Sequence, residues 1–136
     1  MKQTGIWLDT NQAIVVEIIN GNESFFTIPS NVEHFHVTGG SGTRLKGGPQ
    51  DVVQDSKYTE RKKHQMKRYF KEILDRIKDT DTLMLFGPAD TNQRLKKEIE
   101  TFDKELSQKI LLVKKVDSMT LNQTIALVRD SFARIS

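Results

Sequence analysis

Over residues 1–30 the apolar positions fall in short β-branched runs separated by polar pairs, the pattern of strands joined by tight turns. Residues 5–9 (Gly-Ile-Trp-Leu-Asp) form a first run, and Thr10-Asn11-Gln12 connects it to a second at 13–19. Asn20-Gly21 carries the signature of a type I′ hairpin turn, and a third run at 23–28 ends at Pro29. Three strands with such short links predict an antiparallel meander. The period is then lost: a short strand is predicted at 33–37, followed by a flexible glycine-rich loop at 38–56 that holds five glycines in the ten residues from Gly39. Regularity returns near Ser56 or Lys57, where Met66, Tyr69, Phe70, Ile73, Leu74 and Ile77 recur at helical spacing. Residues 82–86 (Thr-Leu-Met-Leu-Phe) are continuously apolar, as a central strand covered on both faces requires. Asp90 with Gln93 predicts a capping box for a helix lined by Leu95, Ile99, Phe102 and Leu106. A fifth strand follows at 110–113. Thr120 with Gln123 predicts the cap of a last helix lined by Leu121, Ile125, Val128, Phe132 and Ile135.

The order βββαβαβα combines a meander with βα crossovers, which gives a mixed five-stranded sheet with helices on its faces. This is the ribonuclease H-like α/β arrangement. No repeat or second core interrupts it, so residues 1–136 read as a single domain.

Composition narrows the function. Hydrophobic residues are 36% and charged residues 29% of the chain, and cysteine is absent, which excludes disulfide frameworks, thiolate zinc sites and thiol catalysis. No apolar run nears the roughly 18 residues of a membrane span, and the N-terminus leads straight into strand-like sequence, so a cytoplasmic chain without a membrane partner is expected. The net charge of +3 hides an asymmetry: between Arg44 and Lys71 stand nine basic and three acidic residues, a local balance of +6. A clustered positive field attracts polyanions, although a basic helix face is often merely solvated. Arg44, Lys46, Gly47, Gly48, Arg61, Lys62, Lys63, Lys67 and Arg68 are therefore the candidate RNA-binding residues, with phosphates as their targets. The loop lacks aromatic residues for stacking on unpaired bases.

Other chemistries find less support. Two-metal nucleases of this fold place carboxylates on the first strand, first helix and fourth strand. Here Asp9 ends the first strand and Glu72 lies on the helix, but no carboxylate follows the fourth strand before Asp90, and Asp9 reads as a turn residue. His34 and His36 share one face of a strand-like stretch without a third ligand, and His64 belongs to a lysine-rich helix surface. No metal or other cofactor is expected. The glycines do not form a phosphate loop, since G-x-x-x-x-G-K-[ST] cannot be drawn through them. The turn Gly87-Pro88-Ala89-Asp90 could offer helix N-terminal amides to a small anion, with Asp90 as their expected cap.

Residues 5–13 (Gly-Ile-Trp-Leu-Asp-Thr-Asn-Gln-Ala), 46–51 (Lys-Gly-Gly-Pro-Gln-Asp), the basic helix from Tyr58 and residues 83–91 (Leu-Met-Leu-Phe-Gly-Pro-Ala-Asp-Thr) together resemble the central domain of the archaeal and eukaryotic peptide chain release factors and of Pelota. The resemblance spans most of the chain and implies a ribonuclease H-like domain that docks on ribosomal RNA or tRNA, similar to bacterial release-factor-like single domains. In those release factors a Gly-Gly-Gln loop positions a water against the peptidyl-tRNA ester. Gly47 and Gly48 match its glycines, but Pro49 stands at the glutamine position and Gln50 comes one residue later. Proline fixes φ and removes a backbone donor, so the departure counts against hydrolysis. The resemblance leaves Gln50 as the candidate catalytic residue of a peptidyl-tRNA hydrolase or ribosome-rescue enzyme, beside an RNA-binding translation accessory domain and a non-catalytic protein-interaction module.

Overall fold

The computed structural model describes residues 1–32 and 48–135, with side chains described for 1–32 and 60–135. Strands β1 (Lys2–Leu8), β2 (Gln12–Ile19) and β3 (Asn22–Pro29) form the expected meander. Its second turn places Asn20 at φ 52 and Gly21 at φ 83, the positive pair that a type I′ hairpin needs. Helix α1 (Gly48–Ile77) leads to β4 (Thr82–Gly87), α2 (Ala89–Phe102) and the short α3 (Lys104–Ser107) to β5 (Ile110–Lys115), and α4 (Leu121–Ile135) ends the described chain. The sheet order is β3-β2-β1-β4-β5, with β1–β4 and β4–β5 parallel. This mixed five-stranded sheet with flanking helices is the ribonuclease H-like fold.

Strand alternation divides the core into two layers. Ile6, Leu8, Val15, Leu83 and Leu85 meet Tyr69, Phe70, Ile73 and Ile77 of α1 and Leu95 and Ile99 of α2 on one face. Trp7, Val16, Met84 and Phe86 meet Val128 and Phe132 of α4 on the other. The continuous apolar run of β4 is thus explained by cover on both faces. At its end Gly87 has φ 128, and a Cβ there would overlap the carbonyl oxygen of Leu8, so only glycine lets β4 turn this close to β1.

Several boundaries differ from the sequence reading. Helix α1 starts at Gly48 rather than near Ser56, because a proline in the first helical turn lacks only an N–H that has no intrahelical acceptor. Pro88, not Asp90, holds the N-cap position of α2, with no side-chain cap bond, and Asp90 lies in the first turn. Phe102 is 70% exposed and ends α2, whereas Leu106 is buried from α3, whose cap Asp103 accepts a bond from the Leu106 amide at 3.0 Å. The new cap restarts the helix and rotates its apolar side. In α4 Leu121 and Ile135 are exposed and Thr124 is buried in their stead. The Thr120–Gln123 capping box forms as expected: the Thr120 amide donates to Gln123 Oε1 at 2.9 Å and the Gln123 amide to Thr120 Oγ1 at 3.2 Å. The strand expected at 33–37, with His34 and His36, lies outside the described residues; of the loop expected at 38–56, residues 38–47 lie outside them and residues 48–56 are helical, in α1.

Candidate nucleic-acid interface

Burial of the α1 stripe fixes what the rest of the helix can present. Met66, Tyr69, Phe70, Ile73 and Ile77 are all under 7% exposed, so the 3.6-residue period turns Arg61, Lys63, Lys67, Arg68 and Lys71 outward, with Lys62 half-buried. The predicted basic residues from Arg61 to Arg68 are thus brought together on one helix. Arg44, Lys46 and Gly47 lie outside the described residues. Gly48 and Gln50 fall in the first turn of α1, and the Gln50 side chain is likewise outside.

The structure adds a second wall that sequence periodicity on α1 could not reveal. A groove of about 700 Å³ between α1 and α2 is lined by Lys62, Lys63, His64 and Lys67 on one side and by Arg94 and Lys97 on the other. Met66 and Phe70 lie between them, and Glu60 and Glu98 are its acidic members. Among the described residues, none of Lys62, Lys63, Lys67, Arg94 and Lys97 is held in an ion pair. Lys2, by contrast, is engaged by Glu17 at 3.1 Å and Asp79 at 3.0 Å. Cations without a protein counter-charge are the ones that recruit a polyanion and release its counterions. Arg94 and Lys97 were legible only as a polar i, i+3 pair, since nothing in one helix says which other helix it will face.

A second opening, of about 500 Å³, lies where β1, β4 and β5 end, lined by Trp7, Asp9, Asp90, Lys115, Asp117 and Ser118 among others. Asp9 is committed to its turn: its Oδ1 accepts from the amides of Asn11 at 2.8 Å and Gln12 at 3.0 Å. Its carbonyl accepts from the Tyr69 hydroxyl at 2.9 Å, which ties this turn to α1. Burial, and secondarily the Asp9 charge, raises the Tyr69 pKa far above the usual phenol range, so the hydroxyl stays a donor. Glu72 is exposed on α1, and among the described residues no group of three His, Asp or Glu side chains is placed to hold a metal ion. With three carboxylates in its lining, the opening is also a poor seat for the small anion considered at residues 87–90.

No family model matches this sequence, and no curated protein matches it. Solved structures do. Pelota from Archaeoglobus fulgidus superposes with a TM-score of 0.58 at 10% identity, over 95% of this chain and 31% of that one. An archaeal translation termination factor, aRF1, gives 0.54 at 12% identity, over 98% of this chain and 39% of that one. The likeness is one of fold. The chain spans well under half the length of either protein, and at such identity the shared architecture carries no residue roles with it. No helix among the described residues is long and apolar enough to cross a membrane.

Proposed function

We propose that this chain is an RNA-binding domain of the translation apparatus that docks on ribosomal RNA or tRNA through the basic face of α1. The observation that carries the reading is the row Lys62, Lys63 and Lys67, without ion-pair partners among the described residues and set on a helix whose opposite face packs into the core from Met66 to Ile77. Such a row neutralises phosphates without reading bases, which suits a structured RNA. The shared fold with Pelota and with a translation termination factor supports the ribosome as the place to look. Arg44, Lys46, Gly47 and Gly48 complete the proposed contact surface on the sequence side.

The test is co-sedimentation of the purified protein with ribosomes across a salt titration. Association that weakens as salt rises, and is lost in Lys62→Glu/Lys63→Glu/Lys67→Glu, supports the proposal; no association at low salt overturns it. Peptidyl-tRNA hydrolysis is a separate step resting on Gln50. Hydrolysis that Gln50→Ala abolishes while binding persists would assign it; equal rates with and without the protein would leave RNA binding as the whole activity.

A further inference from the structure

We propose that the α1–α2 groove is a track for a phosphodiester backbone, in which Arg94 and Lys97 of α2 act as a second cationic wall opposite Lys62, Lys63 and Lys67. This rests on the RNA-binding reading above and deepens it, because a single basic face and a two-walled groove make different demands on the ligand. A face can meet phosphates at any angle, whereas a groove with cations on both rims aligns the strand along its axis. Low-dielectric walls also focus the field between them, and the buried Met66 and Phe70 supply such a floor. The guanidinium of Arg94 adds a planar fork that can grip one phosphate through two donors.

The charge along the groove is graded, which gives the track an end. Alongside residues 60–70 of α1 the lining holds five Lys and Arg side chains against Glu60 and Glu98. Past Glu98 the same interhelical channel continues between Lys67, Lys71 and Lys78 on one hand and Asp75, Glu98 and Asp103 on the other, where cations and carboxylates balance. Lys67 and Glu98 line both stretches and offset each other, so the excess of positive charge, and with it the attraction for a polyanion, is confined to the first stretch. The backbone therefore occupies the first stretch and leaves the groove near Glu98.

The experiment measures ribosome association against salt for the full chain, for Arg94→Gln/Lys97→Gln and for Glu98→Gln. Two lost phosphate contacts reduce the slope of log K against log salt by about 1.4–1.8, taking roughly 0.7–0.9 per contact. Glu98→Gln tightens binding at a given salt. All three substitutions change half-exposed or exposed groups, and unchanged circular dichroism certifies the fold. Salt-sensitive binding that the α1 triple reversal abolishes but that Arg94→Gln/Lys97→Gln leaves with the same affinity and slope overturns the second wall while sparing the RNA-binding reading. Absence of wild-type association at low salt overturns both. Association that ignores salt and all five cations overturns the track in favour of a protein contact.

Discussion

The seating of α4 on the sheet turns on one contact, and a double-mutant cycle reads it. Gly5 lies in β1 with β2 on one side and β4 on the other, paired to Val16 and Met84. A Cβ at Gly5 would stand 2.6 Å from both Cγ atoms of Val128, a fully buried residue of α4. That is about 1 Å inside the optimal carbon–carbon separation, so the helix or the strand must give way. Gly5→Ala is expected to cost about 1–3 kcal/mol as overpacking. Val128→Ala alone removes two methyl-sized groups, about 1.6 kcal/mol of transfer free energy, and a further cavity cost brings the loss to roughly 2–3 kcal/mol. In the double variant the methyl group added at position 5 enters the space that Val128 vacated, so its cost is expected to fall short of the sum by about 1–3 kcal/mol. Urea unfolding, followed through the fluorescence of the neighbouring buried Trp7 and by circular dichroism, gives each corner of the cycle. Additivity within about 0.5 kcal/mol, or a neutral Gly5→Ala, would refute the close approach of α4 to β1.

Three further outcomes are expected. Tyr69→Phe removes the hydroxyl that donates to the Asp9 carbonyl and should cost about 0.5–1.5 kcal/mol by urea unfolding; unchanged stability would sink the tie between α1 and the β1–β2 turn. Thr120→Ala breaks half of the α4 capping box and should cost about 1 kcal/mol, with a smaller loss for Gln123→Ala; equal stability of all three proteins would contradict the cap. The Lys2 ammonium, bonded to Asp79, lowers the Asp79 pKa against the opposing effect of burial. The folded value lies below the unfolded one, so this contribution is present at neutral pH and is lost as the pH falls below the ordinary carboxylate range. The Asp79 side chain is 70% exposed, which limits the contribution to about 0.2–1 kcal/mol; an acid limb of stability no steeper in wild type than in Asp79→Asn would reject it.

Where local chemistry decided the structure, the sequence could be read directly. The Asn20-Gly21 turn sets the meander because few other pairs accept two positive φ angles, and the unbroken apolar run of β4 has no place except between two covered faces. The stripe of α1 was legible for the same reason, all of its positions from Met66 to Ile77 being buried save half-buried Leu74. Errors gathered where two local signals competed. Gly48-Pro49 reads as a breaker, yet the same pair also suits a helix start, and the missing apolar period after it left the choice open. Phe102 and Leu106 keep helical spacing on paper, but Asp103 caps a new helix between them and sends Phe102 into solvent. The candidate site was half visible: one basic helix declared itself by composition, while Arg94 and Lys97 join it only through the packing of α2 beside α1.

That division of charge also explains why the net charge is a poor guide to this molecule. Fields between exposed groups decay over about 10 Å at ordinary ionic strength, so a polyanion responds to the lining of the opening it meets and not to the whole-chain value of +3. The opening at the ends of β1, β4 and β5 carries Asp9, Asp90 and Asp117 against Lys115. The α1–α2 groove carries five Lys and Arg side chains against two Glu. A phosphate group would therefore meet a net negative lining at the strand-end crevice and a net positive one between α1 and α2, so the sign of the local field, and not the whole-chain charge, separates the two openings.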